Sequence, residues 1–219
     1  MNPTISVGVF NQVHWPEAGD VDDCWCLADL MAVHAVAPWS ALPGITAYRA
    51  AAGVPDQIGP TGGSISASAK AIRALYPGLA IEVSANHELT WAAFMLGLTA
   101  HRAASLSVLS SALPAEHRYG FAGQHRVAVA ITTELKLGNP LAPAHPKWKP
   151  ISPTQLRIAV AAYPGGPNPN CILTPSVEDA FTTHPLYAAP ADCTAPAKAA
   201  HDAGYAEAKA AAGAAVAGI

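Results

Sequence analysis

The sequence predicts an α+β fold, with helices gathered in the first half and an antiparallel sheet in the second. Three observations point there. An aspartate cluster at Asp20, Asp22 and Asp23 precedes the apolar run CWCLADLMAVHAVA, which reads as a helix start followed by a buried helix. The stretch GQHRVAVAITTELKLGNP alternates and is β-branched, which reads as one or two strands, with a hairpin as one solution. The chain has 219 residues, 51% of them hydrophobic, enough for one large domain with a real core.

The elements follow in order. ISVGVF predicts a short strand near the start. The first long helix is expected at about 23–37, ended before Pro38. PGITAYRAAAG reads as a short helix stopped by Gly53, and VPDQIGPTGG as a loop. A helix opens near Ser64 and closes at Pro77 and Gly78. LAIEVSA is a strand, HELTWAAFMLGL a helix with its Glu and Thr at the N-terminal end, and AASLSVLSSAL a strand. SPTQLRIAVAAY is a helix opened by Ser152, with Pro153 in its first turn.

Beyond Tyr163 the composition changes to a Pro/Gly/Asn loop and then to residues without periodicity. In the last 25 residues 13 are Ala, which favours helix by propensity but offers a weak apolar face, more suited to packing on a partner. The expected organisation is a domain at 1–163 and a C-terminal Ala/Pro-rich extension at 164–219 that serves as an assembly contact.

Charged residues are only 12% and the net charge is −3, so the chain lacks the basic field that nucleic-acid binding requires. So few solvating charges suit a surface partly covered by neighbours in an assembly. No apolar stretch is long enough to span a membrane, and the first residues do not read as a secretory signal. Nine histidines invite a metal, yet HxH, HExxH and CxxC spacings are absent, so no metal and no cofactor are expected.

Of the four cysteines, Cys24 and Cys26 are spaced for neither a mutual disulfide nor a redox pair, and whether Cys171 pairs with Cys193 stays open. Cys24 stands at the predicted start of the first long helix, where the partial positive charge of a helix N-terminus favours a thiolate. Asp22 and Asp23 beside it oppose ionisation unless they turn toward the backbone as caps. Cys26, about 200° further round the helix, faces away and reads as core.

A nucleophile needs a base. His125 opens the strand HRVAVAI, and Asn139 ends the next strand 14 residues later, so strand pairing would bring the two together for an Nδ1–H···O bond. His14, His117 and His145 are rivals, while His34 and His87 read as structural. The oxyanion would meet the Cys24 backbone N–H and a side-chain amide, for which Gln12 is available.

The order Gln12, DDCWCLADLMA, GQHRVAVAI, GNPLAP and a following helix resembles papain-like cysteine peptidases, most of all the C39-like branch. There a Gln precedes an Asp-Cys helix start, and a His that opens a strand precedes an Asp-Pro step. Cys24 matches the nucleophile, His125 the base, Asn139-Pro140 the Asp-Pro step and Gln12 the oxyanion glutamine, over roughly residues 10–163. Trp25 stands where the branch has Gly, Asn139 replaces Asp, and the gap from Gln12 to Cys24 is longer than usual.

The resemblance implies a papain-like fold, a helical subdomain followed by an antiparallel sheet. It implies a peptidase or amidase acting on peptides such as the stem peptides of peptidoglycan. Similar domains in phages of actinobacteria imply a tail-associated or lytic enzyme, located in the virion beside other tail proteins, or in the cytoplasm before assembly or lysis. Two alternatives stand beside it. One is the same fold kept as an inactive virion building block. The other is an intracellular processing protease or transglutaminase-like acyl transferase.

Overall fold

A computed structural model describes residues 23–37, 42–54, 63–77, 79, 81–101, 103–142 and 148–174. Gln12, His14, His145, Cys193, the expected strand at 5–10 and the Ala-rich tail lie outside the described residues.

The described residues form five helices and six strands, in chain order α1 (Cys24–Val36), α2 (Ile45–Ala52), α3 (Ile65–Leu75), β1 (Glu82–Ser84), α4 (Trp91–His101), β2 (Ala103–Leu109), β3 (Gln124–Ile131), β4 (Leu135–Gly138), β5 (Lys149–Pro150), α5 (Pro153–Ala161) and β6 (Cys171–Leu173). The strands form one antiparallel sheet in the order β1-β6-β2-β3-β4-β5. This is the mixed α+β architecture that the sequence predicts.

Local chemistry accounts for the helix ends. Gly53 closes α2 in the left-handed conformation, φ 83°, which costs a residue without Cβ little. The Ser64 hydroxyl accepts from Ala67 N at 3.1 Å and starts α3. Ser152 and Gln155 form a reciprocal capping box on α5, with Pro153 at its first position. α4 begins later than expected. Asn86 and His87 have positive φ and turn the chain, and Thr90 Oγ1 then accepts from Ala93 N at 3.2 Å. β2 ends at Leu109, where a short 3-10 turn at Ser110–Ala112 replaces the rest of the expected strand.

The sheet has a helical layer on each face. α1, α2 and α3 cover one face, where Leu27, Leu30, Tyr48 and Ile72 pack together with Ile172 of β6. Met31, Ala32 and Val36 of α1 meet Ala103, Ala128 and Ala130, whose small side chains let the helix lie close to the strands. α4 and α5 cover the other face, where Phe94, Leu98, Leu156 and Val160 pack on Leu106, Val108, Val127 and Val129. α1 is apolar on every side except at Asp29 and His34 because it is buried all round; only Cys24 and Ala35 are partly exposed.

The chain does not leave the domain after Tyr163, where the sequence places the boundary. β6 inserts between β1 and β2, with Ser105 opposite Ile172 and Val83 opposite Ile172 on the other side. Cys171, Ile172 and Leu173 are buried, so 171–173 are core residues of the sheet. The three-residue strand carries no alternation to announce it, and only pairing with distant partners selects it.

Candidate functional site

The hairpin β3–β4 brings two of the expected site residues into contact. His125 Nε2 lies 2.8 Å from Asn139 Oδ1. Asn139 is held at both ends of its amide. Nδ2 donates to the backbone carbonyl of His117 at 2.7 Å, and Oδ1 accepts from Leu141 N at 2.8 Å. The second bond is an Asx turn, the local structure that an Asn-Pro step favours. With Oδ1 fixed as an acceptor, His125 donates from Nε2. The sequence predicts Nδ1 in that role. The structure uses Nε2, which leaves Nδ1 as the basic nitrogen of the neutral ring.

His125 is 5% exposed, with the Phe121 ring 5.4 Å away. Burial lowers its pKa to about 4, against a smaller raising effect of the Asn139 hydrogen bond. At neutral pH the imidazole is uncharged, the form that can receive a proton. His117, a rival histidine, is also buried; its Nε2 is 3.2 Å from the Pro150 carbonyl, and burial lowers its pKa as well.

Cys24 is the first residue of α1 and is partly exposed. α1 runs in the direction of β3. Asp29 meets Arg126, and Met31 lies against Gly138, which pairs with Ala128. The helix start with Cys24 therefore lies at the same end of the sheet as His125. The pleat separates their directions. Arg126, Ala128 and Ala130 face α1, whereas His125 shares its face with its partner Val108, on the side of α4 and α5. Gln12 lies outside the described residues.

Behind Cys24 lies a buried polar cluster that the sequence analysis does not single out. Asp29 is fully buried and accepts from Tyr48 Oη at 2.9 Å, from Ser105 Oγ and from Arg126 Nη1 at 3.4 Å. Arg126 also donates to Ser68 Oγ at 3.3 Å and to the Gly63 carbonyl at 3.2 Å. The signal was an Asp in mid-helix among apolar residues, CWCLADLMA, where a charge demands a partner.

Asp23, at the cap position of α1, makes no side-chain cap hydrogen bond; its buried carboxylate pairs with Arg49 of α2. Cys26 is fully buried, and burial above all, then Asp23 and Asp29, push its thiol far up, so it is inert core. Cys171 is likewise buried, with its thiol raised to about 12 by burial first.

Among the described residues no cluster of His, Cys, Asp and Glu could hold a metal ion, and no helix is long and apolar enough to cross a membrane. A groove lined by Met95, Ile131, Leu135, Ile151 and Gln155 sits at the opposite end of β3 from His125 and belongs to a different part of the surface. No family model, curated protein or solved structure matches the chain.

Proposed function

We propose that this chain is a papain-like cysteine peptidase or amidase, with Cys24 as nucleophile, His125 as base and Asn139 as the residue that orients the base. The observation that carries this reading is the His125–Asn139 pair at 2.8 Å, with its amide locked so that Nδ1 is left basic. Cys24 opens α1, which covers the opposite face of β3, with its first residue toward the same end of the strand as His125.

In this reading Cys24 Sγ gives its proton to His125 Nδ1, and the thiolate attacks an amide carbonyl. The oxyanion is met by the Cys24 backbone N–H at the start of α1. His125 then protonates the departing amine, and water hydrolyses the thioester. The substrate is a peptide, the stem peptide of peptidoglycan being the leading case, and the setting is the tail of a phage particle among other virion proteins.

One observation favours a second reading, a virion building block that keeps the fold without turnover. His125 is 5% exposed, and a working base must be reached by substrate. The test is incubation of the full chain with purified sacculi and defined stem peptides, with new amino termini counted against a Cys24→Ala control. Release that depends on Cys24 supports the enzyme. Equal background from both proteins supports the building block.

A further inference from the structure

We infer that Arg49 is a positioning residue that sets the acidity of the Cys24 thiol by holding the Asp23 carboxylate. This deepens the reading of Cys24 as a nucleophile and rests on it. Asp23 immediately precedes Cys24 and is fully buried. A buried carboxylate at that place opposes a thiolate on the next residue, and it is not consumed in capping α1. The Arg49 guanidinium, reaching in from α2, is paired with it.

The ion pair is positioned by packing, since the next residue back on α2, Tyr48, is itself tied to Asp29 and stacks edge-on against Trp25 at 5.5 Å. The neighbouring thiol reports the same field. At Cys26 the Asp23 charge raises the pKa and Arg49 lowers it. Among the described residues, the charged and titratable groups tied to the start of α1 are Asp23, Cys26 and Asp29 on α1 and its cap, Tyr48 and Arg49 on α2, and Arg126 on β3. Of the two arginines paired with carboxylates of α1 and its cap, Arg126 is committed to Asp29, Ser68 and Gly63, whereas Arg49 serves Asp23.

The test is the pH profile of Cys24 alkylation by iodoacetamide, read by mass spectrometry on the full chain. Arg49→Gln removes the guanidinium charge paired with Asp23 and should move the midpoint up by about one unit, with slower labelling at neutral pH. Asp23→Asn should move it down, and the double variant should return it close to wild type. Near-UV circular dichroism checks that each variant is folded. Should Arg49→Gln fail to fold, Asp23→Asn and Arg49→Lys carry the test, since Lys keeps the charge and should keep the midpoint. Midpoints that agree across all folded variants overturn the inference. A His125→Ala arm separates the two claims. Midpoints that respond to Arg49 and Asp23 while labelling ignores His125 would leave the tuning intact and refute the peptidase reading.

Discussion

Replacing Asp29 with Ala should be among the most damaging single changes in the molecule. Its carboxylate is fully buried and accepts from Tyr48 Oη, Ser105 Oγ and Arg126 Nη1. The Arg126 side chain is only 6% exposed. Removing the acid leaves that cation with two neutral acceptors, Ser68 Oγ and the Gly63 carbonyl, takes the acceptor from the Ser105 hydroxyl, and leaves Tyr48 Oη only the longer 3.5 Å contact to the Ser68 carbonyl. Breaking a buried pair from one side costs about 3–5 kcal/mol, because the other charge stays desolvated.

For a chain of this size that corresponds to a melting point roughly 6–20 °C lower. Asp29→Asn keeps the shape and some acceptor capacity and should fall between wild type and Asp29→Ala. Asp29→Leu combined with Arg126→Met removes both charges and should recover a large part of the loss. Urea unfolding followed by fluorescence of the tryptophans measures all three. A loss below about 1 kcal/mol for Asp29→Ala would refute the view that this network ties α1 to the sheet.

The remaining expectations concern the hairpin and the close contacts of α1. His125 has a folded pKa of about 4, below the 6.5 of a free imidazole, so its stabilising share is complete above about pH 6.5 and is lost as pH falls toward 4. The share is about 3 kcal/mol, and unfolding curves between pH 4 and 7.5 should flatten in His125→Gln; a slope identical to wild type would contradict the burial of a neutral ring. Asn139→Ala removes the partner of His125 Nε2, the Leu141 N acceptor and the donor to the His117 carbonyl, and should cost about 2–4 kcal/mol in urea unfolding. A Cβ at Gly63 would run into the Trp25 ring, so Gly63→Ala should destabilise by about 1–3 kcal/mol, and unchanged stability would place Trp25 elsewhere.

What was legible in the sequence was local. Ser64, Gly53 and the Ser152–Gln155 box each carry their own turn chemistry, and α1 announces itself by an uninterrupted apolar run. The His125–Asn139 contact was legible for the same reason, since a hairpin joins residues 14 apart. What was not legible is non-local. β6 is selected by partners some 65 and 90 residues upstream, and its three residues have no period of their own. The ring nitrogen that Asn139 takes depends on Leu141 and on the His117 carbonyl, which no motif spacing encodes. Arg126 reaches Asp29 across 97 positions and Ser105 reaches it across 76, so mid-helix Asp29 could signal that it needs partners but not which.

The central claim is that His125 activates Cys24. The most direct measurement is the rate of iodoacetamide labelling of Cys24 at neutral pH in wild type and in His125→Ala, with Cys24→Ala as the blank. The account predicts fast labelling of Cys24 that drops when His125 is removed, with buried Cys26 and Cys171 unlabelled in the folded protein. Slow labelling of Cys24 that is indifferent to His125 would contradict it and leave the hairpin pair as a structural element of the fold.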